Sequence, residues 1–442
     1  MRHRLPQGPD PDVRLQNMIR AVVLGCAALS AGADAADLRV GVASCAGSAC
    51  HGAARMSGAT VRQDEYLTWQ RKDRHARAYD TLRSDRSRRI AANLGLGEAT
   101  TAPMCLACHA DDAPAAERGG RFQLSDGVGC EGCHGGAERW LTPHTRGYAS
   151  PAQRLADGLY PTWDPGARAE LCLSCHQGDA KRPMTHAIMG AGHPPLLFEL
   201  DTFGALQPAH YEVDADYLKR KGKPQNARNW AVGQAVAARG VLAGVAALPE
   251  AGMVPELAWF ACNACHRPMQ PRWEPDASTG LPPGRVRIAD TALYQVALWL
   301  DVVKPELAAR WRTELRSLHQ ASTAAIGPLR ERAAVLHKLL DAEVLPLAKQ
   351  HEASRTQLRQ VVLALIDGAA GPRAADFAIA EQAAMATAVF VTALDAGAAP
   401  PKPVSAAIDA VYEAVAERER YEPWKLRQAL AQARTEIAKA YK

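Results

Sequence analysis

Residues 126–144 read DGVGCEGCHGGAERWLTPH. Cys130 and Cys133 are separated by two residues, and His134 follows at once. This C-x-x-C-H pattern is the attachment signature of c-type haem. Two thioethers hold the porphyrin edge, and the adjoining imidazole swings onto the iron as proximal ligand. His144 follows in WLTPH, close enough to reach a neighbouring iron. The stretch reads as loop-rich haem-binding chain.

Working outward, the pattern recurs in CLACH (Cys105, Cys108, His109), CLSCH (Cys172, Cys175, His176) and CNACH (Cys262, Cys265, His266). A bare C-x-x-C also serves zinc or dithiol chemistry. Neither requires a histidine after the second cysteine, and here it is there every time. Residues 44–52, SCAGSACHG, almost repeat the pattern, but four residues separate Cys45 from Cys50 before His51. Of the 11 cysteines, only Cys26 lies outside these five groups. The stretched pair therefore reads as a fifth site, giving five covalently attached haem c groups. Attachment through one cysteine, or a disulfide, is the alternative at Cys45 and Cys50.

The sixth ligand decides what such an iron does. Filled by His or Met it favours electron transfer, and left open it admits a substrate. Beyond the proximal His51, His109, His134, His176 and His266, five histidines lie among the motifs: His75, His144, His186, His193 and His210. That is one candidate for each iron. A continuous helix is expected over 61–93, with Leu67, His75, Ala78 and Leu82 on one face; a buried core histidine is the ordinary alternative there. His193 stands in GAGHPP, where glycines permit close approach and prolines stiffen the loop. Met184, Met189 and Met269 are alternative ligands that read more simply as packing residues. His319, His337 and His351 fall in the last third and read as helix-surface residues.

The N-terminus carries a secretory pattern over residues 1–35, with Met18 as an alternative start: Arg20, the apolar AVVLGCAALSA, and a small-residue end at Ala35. Covalent haem and this leader imply Sec export and a periplasmic location. No later segment has 18 uninterrupted apolar residues, so no membrane span is expected. The formal charge of +5 does not point to nucleic acid, because the propionates of five haems bring the mature chain near neutral or acidic. An aromatic content of only 6 % fits an interior partly filled by porphyrin. After about residue 287 cysteine disappears and long helical patterns begin, at 289–303, 306–325, 328–367 with a kink at Pro346, 373–396 and 404–441 interrupted near Pro423. The expected fold is mainly α: a loop-rich multihaem cytochrome c domain over 36–286, then an all-α helical bundle over 287–442. The bundle offers a surface for self-association as a homo-oligomer.

EYLTWQRKDRHARAYDTL (65–82), CLACHA (105–110), the opening stretch and MGAGHPPLLFEL (189–200) resemble the multihaem cytochromes related to cytochrome c-554. That superfamily includes hydroxylamine oxidoreductase and pentahaem nitrite reductase. The resemblance covers roughly residues 40–270 and implies haems packed in stacked and perpendicular pairs. It implies that His75 and His144 are distal ligands of haems other than those bound just before them. It also marks the haem of His109 as the candidate for an open sixth position. The nitrite reductases place lysine at the catalytic haem's proximal position; all five motifs here end in histidine, which speaks against that activity. The expected function is electron transfer between periplasmic or membrane-bound redox proteins. The alternative is a reductase or oxidase of a small nitrogen or sulfur compound at one open haem. Arg139 and Arg146 would then stabilise an anion, and otherwise pair with propionates. The basic stretch Lys219–Arg228 suits an acidic partner.

Overall fold

A computed structural model of the chain describes residues 37–57, 61–147, 150–249, 255–266, 279, 281, 285–323 and 325–442. The expected leader, 1–35, and Met269 lie outside the described residues. The fold is mainly α. Among the described residues no strand forms, only isolated bridges at Arg39–Arg118 and Phe260–Ile288.

The first half is built from short helices: α1 (Glu65–Lys72), α2 (Ala78–Thr81), α3 (Asp85–Asn93), α4 (Pro103–His109), α5 (Cys130–His134), α6 (Leu141–Thr145), α7 (Pro151–Ala156), α8 (Pro165–His176), α9 (His186–Gly190), α10 (Leu200–Leu206) and α11 (Ala215–Lys221). The continuous helix expected over 61–93 is broken. Asp73 leaves helical geometry, its side chain accepts the His75 backbone N–H, and a 3-10 turn, Arg74–Arg77, follows. Aspartate competes with the helix backbone for its own N–H groups, which is why it caps and interrupts helices.

Helix α12 (Asn226–Ala246) begins a different regime. Trp230, Val232, Ala235, Val236, Val241, Leu242 and Val245 bury several of its faces. It packs against α8 and α10 on one side and on the other against the bundle: α13 (Thr291–Val303), α14 (Pro305–Ala321), α15 (Ile326–Leu339), α16 (Leu345–Gln350), α17 (Arg355–Ala370), α18 (Phe377–Leu394), α19 (Lys402–Ala414) and α20 (Pro423–Ala440). One apolar core therefore runs from Ala169 and Leu173 through α12 to Ile437, across residue 287. Gly244 is required here, because a Cβ would lie 2.2 Å from the Trp259 ring.

Pro346 has no N–H for the i−4 bond and its ring crowds that carbonyl. The helix widens to π geometry over Leu340–Val344 just before it, the usual way to absorb such a defect. The pattern expected to run on to 367 stops at Gln350. Ser354 then starts α17 with a capping box closed by Gln357, which satisfies two end donors at once. α18 is long and apolar enough to cross a membrane by length and composition, with a mean hydropathy of 1.6, but 67 % of it is buried inside the protein. Its Phe390 meets the Trp230 ring edge-on at 5.1 Å.

His319 is not the surface residue its helix pattern suggests. It is 1 % exposed and its Nε2 lies 3.0 Å from Asp290 Oδ2. Asp290 also accepts from Arg287 at 2.7 Å and from Arg373 at 2.9 Å. Arg287 in turn reaches Asp376, and Asn263 of the fifth motif at 3.3 Å. This buried ionic cluster fastens the last cysteine motif to the bundle.

Candidate haem-binding sites

Positions i, i+3 and i+4 share one face of a helical turn, so a C-x-x-C-H turn aims two thiols and an imidazole the same way. Three motifs take this form, and His109, His134 and His176 are the last residues of α4, α5 and α8. The fifth is a 3-10 turn, Cys262–Ala264, with His266 N–H donating to the Cys262 carbonyl at 2.7 Å. The stretched first motif reaches the same end differently. Its insertion closes as a turn in which Cys50 and Gly52 both donate to the Gly47 carbonyl, at 2.8 and 3.0 Å. His51 N–H is thereby returned to the Cys45 carbonyl at 3.2 Å. Gly52 permits this, since a Cβ would lie 2.0 Å from the Ala46 oxygen.

None of the ten motif cysteines forms a disulfide. Each proximal imidazole faces a second one. Ring centroids are 6.1 Å apart for His51 and His144, 6.1 Å for His75 and His176, and 6.4 Å for His109 and His193. They are 6.2 Å apart for His134 and His210 and 6.1 Å for His186 and His266. Two imidazole–metal bonds of about 2 Å each, plus the near part of each ring, come to about 6 Å. The spacing fits one metal ion between each pair. His193 stands opposite His109, the position the resemblance marked for an open site.

In five of these rings the other nitrogen is engaged. Nδ1 of His51 lies 3.0 Å from Glu65, and that of His75 2.8 Å from Asp73. Nδ1 of His109 lies 3.1 Å from the Ala78 carbonyl and that of His193 2.8 Å from the Pro194 carbonyl; that of His144 meets the Leu141 carbonyl. Such partners fix the tautomer and turn Nε2 toward a metal. Burial pushes the His134 and His176 imidazoles down to about 4, which keeps them neutral, as metal ligation requires. At His51 and His75 the Glu65 and Asp73 hydrogen bonds win over burial and raise the imidazole.

The sites adjoin one another. Cys45 lies beside Cys130, and Cys108 beside Cys175. Cys133 lies within the electrostatic reach of Cys172 and Cys175. His186 and His193, on α9 and the loop after it, face the fifth and second motifs. The order in space is therefore first, third, fourth, second, fifth.

Residues 44–135 match the family model described as cytochrome c554 and c-prime. The matched segment, about a fifth of the chain, is similar to that family of c-type cytochromes. It contains the first three motifs, Cys45 to His134, and such cytochromes carry covalently bound haem c and transfer electrons. Searches of curated proteins and of solved structures return no match.

Several residues that build the sites carry no signal in the motif itself. Glu131, inside CEGCH, is 2 % exposed. Its carboxylate accepts the N–H groups of Val40, Gly41 and Ala137 at 2.9, 2.7 and 2.8 Å. It thus hangs the lead-in of the first motif on the third. Asp73 and Glu65 were likewise not singled out, although the D-R-H spacing places a carboxylate beside His75. Arg139 is paired with Asp37 through Nη2 at 2.9 Å.

Proposed function

We propose that this c-type cytochrome is a periplasmic pentahaem electron carrier in which every iron has two histidine ligands. The observation that carries this reading is the set of five facing imidazole pairs at 6.1 to 6.4 Å. Cys45 and Cys50, Cys105 and Cys108, Cys130 and Cys133, Cys172 and Cys175, and Cys262 and Cys265 would attach the five groups. His51, His109, His134, His176 and His266 would be proximal ligands, opposed by His144, His193, His210, His75 and His186 in that order. A bound haem c supplies reversible one-electron storage at each site.

The chain's residues supply the rest. Two imidazoles on an iron close it to substrate, which favours the carrier over the alternative of small-molecule reduction at an open site. Asp73 and Glu65 raise the electron-donating strength of His75 and His51 through their Nδ1 hydrogen bonds. The neighbouring cysteines of different motifs, Cys45 with Cys130 and Cys108 with Cys175, would bring attachment edges together, so electrons would cross only short gaps. The leader pattern over 1–35 and the covalent chemistry support a periplasmic location. Partners would be periplasmic or membrane-bound redox proteins.

Haem per polypeptide, by pyridine haemochrome, together with low-temperature EPR of the ferric protein, tests this. The expected result is five haems, all low-spin. Four haems would return Cys45 and Cys50 to another role, and one high-spin haem would move the function to small-molecule chemistry.

A further inference from the structure

Among the described residues eleven large apolar side chains stand exposed, and four of them fall within residues 206–218. They are Leu206 at 72 %, Tyr211 at 47 %, Val213 at 49 % and Leu218 at 43 %. Scattered exposed apolar residues mean little, but a cluster marks an interaction surface. Tyr211 in this stretch adjoins a candidate redox site. The His134 ring faces His210 at 6.2 Å, His210 meets Tyr211 at 6.1 Å, and Tyr211 stacks on Tyr217 at 5.5 Å with planes 10° apart. A line of aromatic rings thus leads from a half-buried imidazole pair to the surface.

The charge beside it is mainly basic: Lys219, Arg220, Lys221 and Lys223 against Glu212, Asp214 and Asp216. Asp214 is spent on the Tyr217 N–H at 2.7 Å, capping α11. Glu212 lies within the field of Arg62. Lys219, Lys221 and Lys223 are exposed at the far end of α11 and beyond it, with Lys221 over the Tyr217 ring at 5.1 Å. An apolar centre with a cationic edge fits a protein whose own apolar docking face is edged with carboxylates.

We propose that residues 206–223 form the port at which this protein exchanges electrons with an acidic redox protein. The proposal rests on the electron-carrier reading. The exchange moves one electron between the partner's centre and the His134/His210 site, with no proton or group transferred.

Stopped-flow reduction of the ferric holoprotein by reduced plant-type ferredoxin, an acidic one-electron donor, is the test. The cluster is oxidised as one haem is reduced. At low ionic strength the Lys219→Glu, Lys221→Glu, Lys223→Glu variant is expected to lose about tenfold in second-order rate constant and most of its salt dependence. A control with the same change in net charge, Lys338→Glu, Lys402→Glu, Lys425→Glu on the bundle surface, is expected to stay within about twofold of the parent. Tyr211→Ser is expected to slow the limiting rate at saturating ferredoxin. Equal losses in the two triple variants would overturn the port. A parent protein that takes no electrons from ferredoxin at any salt concentration would instead count against the carrier reading beneath it.

Discussion

The two halves of this chain are held together by different means. Up to α11 the helices have four to twelve residues, and among the described residues the apolar cluster confined to that half is Leu82, Ala91, Ala99, Leu106 and Ala110. From α12 onward a single core includes Trp230, Trp311, Phe390, Leu336 and Leu365, each essentially fully buried. Folding needs buried apolar area to offset the entropy of ordering the chain. The bundle has that area in its own side chains. The first half does not, and its eight motif cysteines and four facing imidazole pairs mark where large apolar groups would make up the difference. The lesson is that a low count of aromatic and aliphatic contacts can record a core meant to be filled by something other than protein.

The sharpest way to break this comparison is to make the protein without haem. Proteolysis of the apoprotein is expected to remove most residues before about 226 and to leave a helical fragment spanning α12 to α20. A protease-resistant first half would show that it needs no prosthetic core.

Two substitutions should separate the halves in opposite directions. Phe390→Ala removes a ring packed on Trp230 and is expected to destabilise the bundle by about 3–5 kcal/mol, leaving the low-spin spectrum unchanged. His193→Ala is expected to give one high-spin haem in five, at the site of His109, with little effect on bundle unfolding. If Phe390→Ala alters the haem spectrum as much as His193→Ala does, the halves are not distinct.

The cluster that joins them should respond to pH. Burial alone would push the Asp290 carboxyl up, but Arg287, Arg373 and His319 pull it well below the usual carboxylate range. The unfolded chain then binds the extra proton, so this contribution is full above about pH 4 and is lost as pH falls below it. Asp290→Asn leaves two buried guanidinium groups short of a charge and is expected to cost about 3 kcal/mol at pH 7. The stability gap between the parent and the variant should narrow steadily as pH falls below about 4. A variant as stable as the parent at pH 7 would show the cluster to be dispensable.

Sequence was informative where the chemistry is local. A C-x-x-C-H turn specifies its own geometry, so the proximal residues and even the stretched Cys45–His51 site stood out unaided. Long amphipathic patterns likewise marked most of the bundle. What stayed hidden is tertiary. Nothing near His210 says that it faces His134, since both partners are fixed by folds far apart in the chain. The break at residues 351–354 and the burial of His319 beside Asp290 depend on capping and charge pairing, which periodicity does not register. Glu131 looks like any spacer residue until the lead-in to the first motif donates to it.

The smallest expected effect would sharpen the picture of the bundle's own electrostatics. Glu381 lies on α18 with Arg418 at 3.3 Å, yet burial pushes its carboxyl up to about 7 against the pull of that guanidinium. An unfolded glutamate titrates near about 4.3. Between those values the native state holds a proton that the unfolded state has released, so the bundle loses stability as pH rises from about 4 to about 7 and then levels off. This slope is opposite to the one from Asp290 and lies in a separate pH window. Glu381→Gln keeps the shape and removes the titration. Hydrogen exchange of α18 is therefore expected to show the variant more protected than the parent at pH 7.5 and nearly equal at pH 4.5. Equal protection at both values would mean that Arg418 fully offsets the burial of this carboxylate, and that the apolar core alone sets the bundle's stability across that range.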